Sequence, residues 1–405
     1  MSTLVHDLEL PLMDFDDGSV EERREAFRGM DEGAWLYRSP IGYGVMRYED
    51  IIAVLRDKRW HSASARIPEL MGITRADFLE RQRGSILSTE GDEHTRLRRL
   101  VAPAFSPRAA DQLRPFMRQV MNDLIDAVAA TGRADFVADI TEPYPIPIIC
   151  ELLGAPKSDW KFFSRVAGDI LEIFSADLAD KLDLVMNAQN EMDAYTRNMI
   201  AERRSKRADD LLTAMIAAEE AGDKLSNDEL VMMVNAVIVA GTDTTRNQLG
   251  CAVSLFAQHP DQWALLAERP DLASRAVEET MRFFGTVRGT ARFASCDIEY
   301  RDVLFPSGTF IGLGLAEANR QADHFPRPDR FDITSDAPAF PQLTFGSGIH
   351  YCLGAALARA ELQEALPLLA QRMPNLRIDG HVTWKPDGVG IFGPAHMPVT
   401  FDPGH

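Results

Sequence analysis

The sequence predicts a mainly α fold: a single large helical domain carrying small β-sheets. Three observations predict it. Apolar residues recur at helical spacing almost without interruption from about residue 92 to 285. Between residues 286 and 345 that spacing gives way to short apolar segments alternating with turn residues, as in small strands. No linker divides the 405 residues, so residues 21–405 are expected to form one unit behind an acidic lead-in at residues 1–20.

The lead-in carries Asp7, Glu9, Asp14, Asp16 and Asp17 and reads as loose chain. Residues 41–57, IGYGVMRYEDIIAVLRD, read as a strand followed by a helix. Residues 60–90 scatter Ser, Arg, Gly and Pro and read as irregular; a loop of that length is expected to be functional or mobile. Pro143, Pro145 and Pro147 interrupt the helical region, because proline lacks the N–H a helix interior needs. Ser226 and Glu229 form a capping-box pattern, and the helix it opens continues to about Gln258, where His259-Pro260 stops it. Residues 297–300 and 308–313 read as strands, 353–372 as a final helix, and 373–405 as strand and loop.

Composition excludes several functions. Acidic residues number 61 against 43 basic, a net charge of −18, which opposes binding to nucleic acid or an anionic membrane through the overall field. The four cysteines, Cys150, Cys251, Cys296 and Cys352, show no short paired spacing. That excludes a disulfide scaffold and a zinc ribbon and fits a reducing compartment. No basic start followed by an apolar stretch suggests a leader, and no window of about 18 apolar residues suggests a membrane span. A soluble, cytoplasmic protein is expected.

Two segments break local rules. From residue 231 to 240 the long helix is apolar on nearly every face except at Asn235, so it should be buried. It then runs into Ala240-Gly241-Thr242-Asp243-Thr244-Thr245. A glycine there costs about 1 kcal/mol against alanine, and a buried carboxylate costs several unless paired. Either this is a functional patch, or it is a polar cluster facing a wet cavity or a helix that surfaces midway. The second segment is Phe345-Gly346-Ser347-Gly348-Ile349-His350-Tyr351-Cys352-Leu353-Gly354. Glycines let backbone approach a bulky partner, and a cysteine at the start of a helix meets free N–H groups that favour thiolate.

This second segment resembles the pattern F-G-x-G-x-H-x-C-x-G of the cytochrome P450 superfamily at every specified position, soluble bacterial members included. The resemblance implies that Cys352 is the thiolate ligand of a haem iron (haem b, one per chain) and that Phe345 and Gly346 belong to the haem-binding loop. Thiolate pushes electron density onto iron and favours O–O cleavage. The patch at 240–245 is similar to the family's oxygen-activation motif. It implies Thr244 as the hydroxyl beside reduced dioxygen and Asp243 as the acid that feeds it protons. Glu279-x-x-Arg282, with Arg330 in Pro328-Asp329-Arg330-Phe331, resembles the family's structural ion-pair set. His94, Arg98, Arg292 and His350 match its haem propionate contacts. The chain departs from the family's usual Ser-Pro-Val with Gly285-Thr286-Val287, and from Asn-Arg-Asp with Asn319-Arg320-Gln321. The first departure changes the substrate wall.

By the same resemblance the substrate pocket is walled by Ile86, Leu87, Ala236, Val239, Ala240, Val287, Gly289, Ile391 and Phe392, mostly apolar, which implies a hydrophobic small molecule. Arg288 stands near this wall, where it is expected to face solvent or a propionate rather than a substrate carboxylate. No Gly-x-Gly-x-x-Gly fingerprint and no iron–sulfur cysteine set is present, so electrons are expected from a ferredoxin with its reductase. Arg96, Arg99 and Arg359 are expected to form its docking patch. The implied activity is an O2-dependent monooxygenase acting as a monomer. A peroxide-driven enzyme and a non-catalytic haem binder are the competing readings. Terpenoids, steroids, fatty acids and polyketide-type metabolites all remain open as substrates.

Overall fold

The computed structural model describes residues 2–13, 25, 34–221, 225–335, 340–386 and 390–403. Its axis is the helix Asn227–Ala257. The predicted capping box closes this helix at its start: Ser226 Oγ accepts from the Glu229 N–H at 3.2 Å, and Glu229 Oε2 accepts from the Ser226 N–H at 2.7 Å. The helices Pro145–Leu153, Trp160–Leu171, Leu178–Ser205, Ala273–Phe284 and Ala355–Arg372 pack around it. The last of these also lies along Pro107–Ala129. Val234, Ile238, Leu249 and Phe256 of the central helix join Met117, Ile149 and Leu362 in the main hydrophobic core. Gly241 has a packing reason: a methyl group there would lie 2.8 Å from the Ile149 side chain, so only glycine lets the Pro145–Leu153 helix lie this close.

A five-stranded sheet stands to one side, in the order Leu36–Ser39, Gly42–Val45, Phe310–Gly314, Gly289–Ala294, Trp60–Ser62. Gly42–Val45 and Phe310–Gly314 pair in parallel; the other neighbours are antiparallel. Its own core includes Val45, Ile51, Trp60, Phe305 and Ile311. The register sets Arg292 opposite both Ser62 and Ile311. No helix among the described residues is long and apolar enough to cross a membrane.

Three local expectations change. Thr3–Leu4 pairs in parallel with the strand Val303–Phe305, so this part of the lead-in is pinned rather than loose; residues 14–20 lie outside the described residues. Residues 60–90 hold the strand Trp60–Ser62 and the helices Ile67–Leu70 and Ala76–Arg83. Ala76–Arg83 offers only Phe78 and Leu79 as large apolar residues, too few for a periodic signal. It is held from outside: Ile73, Phe78 and Leu79 pack on Leu178 and Val185, and Arg75 and Arg81 pair with Asp183 and Asp193 at 2.9 and 2.8 Å. Finally, Pro145 opens the helix Pro145–Leu153 and Pro147 sits in its first turn, where an N–H would have no helical partner anyway.

Candidate functional site

Cys352 sits on a loop shaped by two glycines in the left-handed region, Gly346 at φ 69° and Gly348 at φ 71°. A side chain at Gly348 would collide with the Leu55 carbonyl oxygen, while beside Gly346 and Gly354 the space is open. The Cys352 N–H donates to the Phe345 carbonyl at 3.0 Å, and the Arg359 guanidinium lies 4.5 Å over the Phe345 ring. Cys352 is exposed as a residue, while protein crowds its thiol. That crowding raises the thiol pKa; the Gly354 N–H and the charges of Arg98 and Arg359 act against it without overcoming it. The expected preference for thiolate is therefore not met by the chain alone. The helix begins at Ala355, so the sulfur meets one N–H rather than a full turn of them.

A cluster of basic side chains lies next to this loop. His94, on the helix Gly91–Val101, is buried, and its ring lies 4.5 Å from that of His350. Burial, then the nearby His350 and Arg98, push its pKa down to about 4. Arg98 Nη2 donates to the Tyr351 carbonyl at 2.7 Å. Arg292 is 4% exposed, and burial pushes its pKa down to about 10. The acid here is Glu90, whose Oε1 lies 3.0 Å from His350 Nε2 and accepts from the Ser62 N–H at 2.6 Å. Burial pushes Glu90 up, but these two bonds prevail and hold it below its ordinary value. One carboxylate beside two arginines and two histidine rings leaves an environment that favours further anions.

The central helix is open along one stripe. Ala236, Val239 and Thr244 are half-buried and Ala240 is exposed, whereas Val237, Ile238, Thr242, Asp243 and Thr245 are buried. Steps of three and four residues place the open positions on one face of the helix. Thr244 Oγ1 donates to the Ala240 carbonyl at 2.9 Å and Thr242 Oγ1 to that of Ile238 at 2.6 Å. Asp243 points elsewhere: its carboxylate pairs with Arg246 and, at 2.9 Å, with Lys385 Nζ. Burial pushes the Lys385 pKa down, Asp243 opposes this, and Arg246 adds to it.

Arg282 forms a fork on Glu279 at 2.7 and 2.8 Å and also donates to the carbonyls of Asn319, Pro328 and Arg330. Arg330 thus joins the set through its backbone. Its guanidinium is turned outward, 3.3 Å from Asp332, which corrects the expectation of a side-chain contact.

Ile86 is half-buried against the core and Leu87 is 52% exposed. Val287 and Ile391 face each other across a β-bridge, and Gly289 is exposed at a strand start. Phe392 is buried, stacked on Trp384 at 5.2 Å, with the Arg288 guanidinium 3.5 Å over its ring. Phe392 therefore supports Arg288 rather than presenting bare wall, and Arg288 is turned onto aromatic rings rather than simply to solvent. In the expected docking patch Arg96 pairs with Glu229 and Arg359 with Glu278, so both charges are compensated locally. Arg99 is exposed and has no ion pair among the described residues.

Three residues near the site escaped sequence reasoning: Arg246, Lys385 and Glu361. Arg246 was legible as the i, i+3 partner of Asp243; Lys385, 142 residues away, left no signal. Glu361 is 1% exposed, bonded by the Thr245 side chain, and burial pushes its pKa up to about 8 from 4.5. From pH 4.5 to 8 the folded chain therefore keeps a proton that the unfolded chain releases. This group's contribution to stability falls as pH rises through that window and is level above it. Its full size is on the order of 5 kcal/mol. Relative to wild type, Glu361→Gln is expected to gain denaturation midpoint steadily from pH 5 to pH 8, read in chemical unfolding curves at matched pH. A midpoint difference that does not change with pH would contradict this.

The family model described as Cytochrome P450 matches residues 157–374. The luteothin monooxygenase of Streptomyces thioluteus is 35% identical over 407 residues, 99% of each chain. The mycinamicin IV hydroxylase/epoxidase of Micromonospora griseorubida is 37% identical over 376 residues, 91% of this chain and 90% of its own. The crystal structure of CalO2 superposes with a TM-score of 0.87 at 31% identity, covering 97% of this chain and 100% of that one. The chain belongs to the cytochrome P450 family and is a P450 monooxygenase. The family binds haem, and the residues here fit it: an exposed cysteine, open space beside Gly346 and Gly354, and two arginines and two histidines close by that suit two propionates.

Proposed function

We propose that this chain inserts one oxygen atom from O2 into a hydrophobic small molecule, with electrons delivered by a ferredoxin and its reductase. In this reading Cys352 ligates the iron of one haem b. His94, Arg98, Arg292 and His350 hold its propionates, and Phe345 and Gly346 shape the loop beneath it. The haem supplies the iron at which O2 is reduced and cleaved. Ala236, Val239 and Ala240, with Ile86, Leu87, Val287, Gly289 and Ile391, enclose the substrate and exclude water. Phe392 backs this wall, and Glu279, Arg282 and Arg330 brace the haem-binding core.

The observation that carries the proposal is the division of labour between neighbours. Thr244 lies on the open stripe of the central helix, while Asp243 is buried against two cations. Cleaving O2 consumes two protons, which a closed pocket must receive through a relay. Asp243 can pass a proton inward from the Lys385–Arg246 side, and the Thr244 hydroxyl can hand it on. Peroxide would arrive already reduced and would not need this delivery. Similarity to a hydroxylase/epoxidase and to a monooxygenase supports oxygen insertion over simple haem binding.

The test is Thr244→Ala with a reconstituted ferredoxin chain. Reductant consumption is expected to continue while product per reductant falls several-fold. Unchanged coupling, or wild-type turnover sustained equally well by peroxide alone, would reject the relay.

A further inference from the structure

A cleft of about 320 Å³ opens beside the basic cluster, lined by Ser62, Arg66, Glu69, Arg83, Ser88 and Phe293 among others. It adjoins the expected substrate wall, since Ser88 directly follows Ile86 and Leu87 in the chain. It also adjoins the haem side, since the Ser62 N–H binds Glu90, which meets His350.

Arg66 is the unusual member. Its guanidinium carbon lies 4.8 Å over the Phe293 ring, and its side chain makes no hydrogen bond or ion pair among the described residues. The neighbouring Arg83 is compensated by Glu69 at 2.5 Å. The hydroxyl of Ser88 is shut off from solvent and has no partner among the described residues. A half-buried guanidinium held over an aromatic ring loses hydration without gaining an anion, and an unmade hydrogen bond at a buried hydroxyl costs about 1–3 kcal/mol.

We propose that this cleft is a carboxylate site, with Arg66 as the anchor for the acid group of a substrate whose apolar body runs past Ile86 and Leu87 toward the haem. Two arginines and one glutamate leave the cleft with one net positive charge, which a carboxylate balances and a doubly charged phosphate would exceed. A guanidinium also matches the two oxygens of a carboxylate with parallel N–H donors, and the Phe293 face beneath it keeps that fork oriented. The inference rests on the proposed oxidation of a hydrophobic molecule and narrows it to an acid with an apolar body.

The experiment titrates haem-loaded wild-type and Arg66→Gln protein by calorimetry with straight-chain carboxylates of about eight to fourteen carbons and with the alcohols of the same lengths. At least one carboxylate is expected to bind wild type more tightly than its alcohol. Arg66→Gln is expected to weaken that carboxylate roughly 10- to 100-fold, the range for losing a charge-assisted bond, and to leave the alcohol unchanged. If no carboxylate outdoes its alcohol, or the preference survives in Arg66→Gln, the assignment falls while the oxidation reading stands. If Arg66→Gln instead loses haem, shown by its reduced carbon-monoxide spectrum, Arg66 is a haem contact and the assignment falls as well. Failure of the broader reading shows separately, as absence of that spectrum in wild type.

Discussion

Cys352→Ser is expected to abolish the thiolate signature in the reduced carbon-monoxide spectrum and to cut turnover by more than the roughly 10- to 100-fold that losing an outer-shell partner costs. The substitution changes one atom. The loop does not depend on that sulfur for its shape: Gly346, Gly348 and the bond from the Cys352 N–H to Phe345 hold it. The protein should therefore fold with nearly unchanged stability while losing its chemistry. Serine offers a harder oxygen that remains protonated, and crowding at this position, which already disfavours the free thiolate, disfavours an alkoxide far more. A haem-loaded serine variant with the wild-type carbon-monoxide spectrum would remove Cys352 from the iron.

Asp243→Asn is expected to lower product formation about 100-fold or more, because an amide cannot accept and return a proton. It should also destabilise the fold. Asp243 is 3% exposed at its side chain and pairs with both Arg246 and Lys385; removing one partner of such a buried set costs up to about 3–5 kcal/mol. Partial exposure of Lys385 puts the expected cost near the lower end. The double variant Asp243→Asn with Lys385→Met separates the two effects. It removes a stranded cation along with the missing anion, so the unfolding midpoint should recover much of its loss while turnover stays low. Recovery of turnover with stability would make Asp243 a counter-ion and nothing more.

The comparison between sequence and structure divides along the range of the forces involved. The Ser226–Glu229 box, the strand and helix at residues 41–57, and the glycine-framed cysteine are local patterns, and each appears where the sequence predicts it. The helix Ala76–Arg83 was not legible, because its two apolar residues are buried by a helix 100 residues further on. The upward shift of the free Cys352 thiol was not legible for a related reason. Counting a helix dipole is a local act, whereas desolvation depends on everything packed around the sulfur.

By itself, then, the sequence determined the helical class, the limits of the central helix, and the cysteine, threonine and aspartate to examine. These follow from periodicity, capping and motif spacing, which act over a few residues. The tertiary structure alone decided that Asp243 answers to Lys385, that Arg330 contributes a carbonyl rather than a guanidinium, that Arg288 lies on Phe392, and that Arg66 faces a cleft with no counter-ion among the described residues. Each is a balance between burial and charge among groups far apart in the chain, and such a balance exists only once the chain has folded.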